Sequence, residues 1–136
     1  MQFPIPDFNQ PIALFLDVDG TLLEFCDSPD DVYPGLELNI ILRSLSSLLE
    51  GAMALITGRK ILEIDRMFHP LQLPVGGQHG LEHRDAEGNF KLVKNLKFPK
   101  NIRSQIQCFG EMHPDCAIED KGLTMAIHYR RIPKLE

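Results

Sequence analysis

Ile12-Ala13-Leu14-Phe15-Leu16 runs without a break into Asp17-Val18-Asp19-Gly20-Thr21-Leu22, and this stretch decides the fold. Five consecutive apolar residues that stop at acids read as a strand buried on both faces, as in a parallel sheet. Downstream, Pro34 stands where a first helical position belongs. Leu38, Ile41, Leu42, Leu45, Leu48 and Leu49 then trace one helical stripe, with Gly51 placed to stop it. Ala52–Ile56 is a second short apolar run, punctuated by Thr57-Gly58. Ile61, Ile64 and Phe68 mark a second helix closed by Pro70, and Leu73–Val75 leads into Gly76-Gly77 as a third strand. Strand, helix, strand, helix, strand is the order of an α/β protein with a parallel sheet.

The pattern changes further along. Residues 81–98 read as short strands around a turn at Glu87-Gly88-Asn89, and Ile102, Ile106 and Phe109 have helical spacing up to Pro114. Cys116–Asp120 and Leu123–Tyr129 read as two strands joined at Lys121-Gly122, the second with Leu123, Met125, Ile127 and Tyr129 on one face. A boundary near Phe98-Pro99 follows. Residues 1–98 form a Rossmann-like parallel sheet core, partial and three-stranded, and 99–136 a partial α+β unit of one helix and two strands.

The 136 residues bound the rest. Fourteen Lys plus Arg against nineteen Asp plus Glu leave a net charge of −5, which argues against nucleic acid as a partner. No apolar stretch approaches the ~20 residues of a membrane span. The first residues carry an early acid and prolines but no basic region, unlike a secretory signal. Three cysteines, Cys26, Cys108 and Cys116, form no C-x-x-C pair and suggest neither a disulfide scaffold nor activated thiols. A cytoplasmic protein is the expectation.

Asp17 and Asp19 are two positions apart at the C-terminal end of a strand, where open α/β sheets bind ligands. Strand periodicity puts them on one side, with Val18 facing into apolar packing. Two such carboxylates repel unless a cation or proton offsets them. Gly20 permits a turn that gathers backbone N–H groups at the same point. The arrangement suits Mg²⁺, which takes few carboxylates plus phosphate oxygens, and offers one acid as nucleophile and one as acid or base. A polar turn with two acids is the rival reading; a calcium loop needs a further ligand before its glycine and is excluded. At the second strand end, Thr57 offers a hydroxyl and Gly58 a close backbone approach, with capping of the next helix by Thr57 as the rival. His79 and His83 have i, i+4 spacing, but the surrounding glycines disfavour the helix a zinc pair would need.

Asp17-Val18-Asp19-Gly20-Thr21 followed by Thr57-Gly58-Arg59 resembles the first two motifs of the haloacid dehalogenase superfamily of phosphotransferases. Gly77-Gln78-His79-Gly80, Glu119-Asp120-Lys121-Gly122 and Ala126-Ile127-His128-Tyr129-Arg130 narrow the likeness to the trehalose-6-phosphate phosphatases, from about Pro11 to Pro133. The resemblance implies hydrolysis of trehalose 6-phosphate to trehalose and phosphate. Asp17 would attack phosphorus to form an aspartyl-phosphate; Asp19 would protonate the departing sugar oxygen and then activate water. Mg²⁺ would be held by the Asp17 carboxylate and the Asp19 backbone carbonyl. Gly20, Thr57 and Gly58 would bind phosphate, and Glu119 and Lys121, on a mobile cap, sugar hydroxyls. Read from the residues alone, Glu119 and Lys121 are also compatible with a solvated pair, and His128 and Arg130 with the open face of a hairpin.

The family's later motifs, a lysine that neutralises the phosphoryl group and an acidic cluster that completes the metal site, are not found in Arg131-Ile132-Pro133-Lys134-Leu135-Glu136. The sequence therefore matches the N-terminal part of such an enzyme, and the expectation is an unpaired edge on the first strand and negligible turnover. A related sugar phosphatase and a non-catalytic sugar-phosphate-binding fragment are the alternatives.

Overall fold

The computed structural model describes residues 7, 9–24, 33–93 and 96–129. The turn region around Cys26, and Arg130 with the residues after it, lie outside the described residues. The elements in chain order are β1 (Leu14–Asp17), α1 (Leu36–Leu48), β2 (Met53–Ile56), α2 (Ile61–Met67), β3 (Val75–Gly77), β4 (Glu82–Arg84), β5 (Phe90–Leu92), α3 (Lys100–Met112), β6 (Ala117–Asp120) and β7 (Met125–His128). The chain is α/β, and the helices and strands follow the sequence pattern closely.

One sheet has the order β1-β2-β3-β4-β5. β1 to β3 are parallel, and β4 and β5 continue the sheet antiparallel, so it is five-stranded and mixed, where the sequence pattern predicts three parallel strands. The extension is possible because the Gly77-to-Gly80 turn reverses the chain at once and lays Glu82–Arg84 along Val75–Gly77. β6 and β7 pair separately as an antiparallel hairpin.

Two parallel crossovers stepping in the same direction place α1 and α2 on one face of the sheet. That face holds the core: Val18, Leu42, Leu55, Phe68 and Val75 are all less than 2% exposed. On α1 the inward stripe is Leu38, Leu42, Leu45 and Leu49. Ile41 and Leu48, expected on that stripe, sit at its flank and face outward, at 47% and 77% exposed. Pro34 precedes the helix rather than opening it, because Gly35 is the residue that takes the extended capping conformation. Gly51 ends α1 as expected, with φ at +83° and its N–H donating to the Ser46 carbonyl.

The expectation that β1 is buried on both faces is corrected. Leu14 and Leu16 are half-buried against the core, but Phe15 is 67% exposed, and Ile56, on the same face of β2, is 45% exposed. Both helices occupy the opposite face, so among the described residues nothing covers this one. β1 is also the outer strand of the sheet, bonded on one side only to β2.

α3 packs on the Ile118 face of the hairpin. Gly110 makes this possible: a Cβ there would stand 2.6 Å from Ile118 Cγ1. Arg103 of α3 ion-pairs with Asp120 and donates to the Gly122 carbonyl at 2.8 Å, fixing the hairpin turn from behind. The hairpin's other face, with Glu119 opposite Ala126 and His128 two pairs further along, is left to look toward the strand ends of the sheet.

Candidate active site

The parallel ladder pairs Asp17 with Ile56 and Ile56 with Gly76, so the residues that follow these strands emerge side by side. Asp17 is exposed at the end of β1. After it the chain turns over its own carbonyl: Val18 O accepts from Leu22 N and Leu23 N, both at 3.0 Å, and Gly20, at φ +85°, donates to Leu23 O at 2.7 Å. Only a residue without a Cβ adopts that φ without cost. The turn buries Val18 completely, as the sequence implies, and leaves Asp19 half-buried beside the second loop.

Asp19 does not stand free there. Arg59 Nε donates to Asp19 Oδ2 at 2.9 Å and Oδ1 at 3.1 Å, and its Nη2 to Oδ1 at 2.7 Å. The guanidinium is buried, and this hydrogen bond, above all, raises its pKa above the ordinary arginine value against the opposing effect of burial. A planar fork meeting a planar carboxylate fixes the orientation of the acid as well as its place. Nothing in the sequence singled out Arg59 for this; the signal available was only its position within Thr57-Gly58-Arg59.

Thr57 is 3% exposed, and its Oγ1 accepts the Arg59 N–H at 3.1 Å. The hydroxyl hydrogen is not used in that bond and remains to be donated. Capping of α2 by Thr57 is not observed. The cap residue is Lys60, and the first helical N–H, of Ile61, is taken at 2.8 Å by Glu82 Oε2 from β4. Gly58 lies under the His79 ring, where a Cβ would meet Cε1 and Nε2 at 2.7 Å.

The hairpin reaches this loop. Lys121 Nζ donates to the Gly58 carbonyl at 3.0 Å and lies 3.5 Å from Glu119 Oε2, which in turn meets His128 Nε2 at 2.9 Å. The structure thus brings Asp19, Thr57, Gly58, Lys121 and Glu119 into one continuous cluster of contacts through Arg59 and His128. Asp17 and Gly20 adjoin it through the strand end and its turn. His128 was left as a lining residue by sequence reasoning and is here the partner of Glu119. His79 and His83 form no metal cluster, and no group of three metal-ligating side chains occurs among the described residues. The donors at the strand end, the Asp17 carboxylate and the Asp19 main-chain carbonyl, are hard oxygens, few in number, and fit an ion such as Mg²⁺ that keeps most of its waters. The Asp19 carboxylate is committed to Arg59.

No helix of the described residues is long and apolar enough to cross a membrane. The Trehalose-phosphatase family model matches residues 15–135. A probable trehalose-phosphate phosphatase of Sinorhizobium fredii is 38% identical over 121 residues, covering 89% of this chain and 46% of the relative. The trehalose-6-phosphate phosphatase of Escherichia coli is 34% identical over 132 residues, covering 96% of this chain and 50% of its own length. Among solved structures, the C-terminal domain of a C. albicans trehalose-6-phosphate phosphatase superposes with a TM-score of 0.80 at 25% identity, covering 93% of this chain and 46% of that one. A haloacid dehalogenase-like hydrolase from B. subtilis shares the fold, with a TM-score of 0.56. The chain spans about half the length of the curated relatives it matches. With nearly all its residues matched, and its strand ends arranged as described, the chain belongs to the trehalose-phosphatase family.

Proposed function

We propose that this chain carries the nucleophile side of a Mg²⁺-dependent site for trehalose 6-phosphate, with residues 1–98 as a partial phosphatase core and 99–136 as a partial cap. One observation carries the reading: Lys121 of the hairpin bonds to Gly58, in the loop that also presents Thr57 and Arg59, so the pair read as sugar-binding touches the loop read as phosphate-binding. Family membership supports the substrate.

In this reading Asp17 attacks phosphorus, the bond from phosphorus to the sugar oxygen breaks, and Asp19 gives that oxygen its proton. Water then attacks the aspartyl-phosphate, its proton passes to Asp19, and phosphate leaves with Asp17 restored. Arg59 orients Asp19 chiefly through Oδ1, which takes two of its N–H groups, and Oδ2, which takes only the Nε–H, is the oxygen that carries the proton. Thr57 donates to a phosphoryl oxygen, and Gly20 and Gly58 let the backbone approach it. Glu119 accepts from sugar hydroxyls and Lys121 donates to them. The Asp17 carboxylate and the Asp19 carbonyl would hold Mg²⁺, which would supply charge neutralisation for the transferred phosphoryl group.

The Asp17 carboxylate and a single carbonyl are a sparse metal site, and a cationic partner for the phosphoryl group is not among the described residues of the cluster beyond Lys121 and Arg59. Loss of one charge-stabilising group costs about 10²–10³ in rate, so on this reading the described cluster accounts for binding rather than for turnover. Calorimetry with trehalose 6-phosphate, trehalose and glucose 6-phosphate, with and without Mg²⁺, tests this. The expected result is Mg²⁺-dependent binding of trehalose 6-phosphate that Asp17→Ala and Glu119→Ala weaken, without phosphate release. Preference for glucose 6-phosphate would instead favour a related sugar phosphatase, and absence of all binding would refute the reading.

A further inference from the structure

The Gly77-Gln78-His79-Gly80 stretch, which the proposed chemistry leaves without a role, contains a buried side chain bonded on two sides. Gln78 is 2% exposed, yet its φ is +46°. A left-handed backbone at a non-glycine residue is strained and persists only where its surroundings impose it. Here they do. Gln78 Nε2 donates to Glu82 Oε1 at 2.5 Å, while the other oxygen of that carboxylate takes the Ile61 N–H at the start of α2. Gln78 Oε1 accepts from Thr124 Oγ1, on the strand side of the hairpin turn, at 3.5 Å. The left-handed turn also points the Gln78 N–H at the Arg59 carbonyl, 2.8 Å away, and the His79 N–H at the Thr57 carbonyl, 3.1 Å away.

We propose that Gln78 is a positioning residue that couples the loop Thr57–Arg59 to the hairpin bearing Glu119 and Lys121. Its amide donates to Glu82 on the sheet side and accepts from Thr124 on the hairpin side. By locking its own strained backbone, it holds the Arg59 carbonyl, and with it the guanidinium that orients Asp19. Loosening Gln78 therefore disturbs both ends: the Arg59–Asp19 fork and the seat of Lys121 on Gly58. The importance of this coupling for phosphate transfer rests on the function proposed above, but the coupling itself does not, and it is read without any ligand.

Two signals report it in the full chain. The Arg59 Nε–H gives its own nitrogen–proton resonance, slow to exchange while it is forked onto Asp19. Trypsin cleaves after Lys121 only when the ammonium leaves Gly58. In Gln78→Met, of similar shape without the bonds, the Arg59 signal should shift and exchange faster, and cleavage after Lys121 should rise about tenfold, the loss expected from one buried hydrogen-bonded group. Gln78→Glu alone sets two carboxylates against each other and should behave at least as badly. The exchanged pair Gln78→Glu with Glu82→Gln restores an amide facing a carboxylate and should recover both signals. Leu73→Ala, which weakens the core away from the site, should lower stability without moving either. An unchanged Arg59 resonance and unchanged cleavage in Gln78→Met would overturn the proposal. So would equal changes in Leu73→Ala, or failure of the exchanged pair to recover them.

Discussion

Arg59 grips Asp19 from forty positions away in sequence, with Nε bridging both carboxylate oxygens and Nη2 closing on Oδ1 at 2.7 Å. The contact joins the loops after β1 and β2, and the arginine side chain is 10% exposed against 31% for Asp19. Lysine keeps the charge but cannot reproduce the fork. Arg59→Lys is expected to cost about 1–2 kcal/mol in urea unfolding, and Arg59→Ala more, up to about 3 kcal/mol. A lysine variant as stable as the parent would mean that charge alone matters here.

The commitment of the Asp19 carboxylate to Arg59 separates the two acids in their dealings with a divalent ion. Asp17→Asn removes the carboxylate ligand and should weaken Mg²⁺ binding about tenfold in a nuclear magnetic resonance titration, whereas Asp19→Asn keeps its main-chain carbonyl and should change it by about twofold or less. Equal losses would place both carboxylates on the metal and contradict the arrangement.

Gly110 sets the distance between α3 and the hairpin. In a helix interior Gly→Ala ordinarily gains about 1 kcal/mol. Here the new methyl would stand 2.6 Å from Ile118 Cγ1, deep inside contact distance, and overpacking of this kind costs about 1–3 kcal/mol. Gly110→Ala should therefore be destabilising on its own and much less so in an Ile118→Ala background, measured as coupling in a double-mutant cycle. A stabilising single variant would show that the hairpin yields freely.

Asp85 accepts from Asn89 through both the side chain and the backbone N–H, at 3.0 and 2.8 Å, across the β4–β5 turn. The side-chain hydrogen bond is the main cause that lowers the Asp85 pKa below the usual carboxylate value. A lowered folded-state pKa contributes stability that is present at neutral pH and is lost as pH falls from the ordinary aspartate value, about 4, through the lower folded one. Asn89→Ala should bring the Asp85 pKa, followed by carboxyl carbon shifts, back up toward the ordinary value. An unchanged pKa would assign the shift to other groups.

Much of the architecture was legible because it is written in local patterns. The Ile12–Leu16 run, the apolar stripe from Leu38 to Leu49 (Ile41 and Leu48 at its flank aside) and the glycines at 51 and 88 mark elements through residue spacing and backbone freedom alone. What failed was the environment of those elements. Phe15 was expected to be buried, but burial of a strand depends on what packs on each face, and both crossovers leave Phe15 and Ile56 on the face away from the helices. β4 and β5 were legible as strands, but their membership of the same sheet follows from the reversal at Gly77–Gly80 and not from their own residues.

The order of elements, the paired acids after the first strand and the Thr57-Gly58-Arg59 loop after the second were determined by the sequence, since each rests on neighbours within a few positions. The tertiary structure alone decided that Asp19 is held by Arg59, that Gln78 ties Glu82 to the hairpin, that Glu119 meets His128, and that Lys121 sits on Gly58. Most of these pairs join loops and strands that meet only when the sheet and hairpin have formed, and even the closer pairs depend on local turns to bring side chains together. No periodicity in the chain encodes such meetings, because hydrogen-bond geometry is fixed by the packing of elements and not by their spacing in sequence.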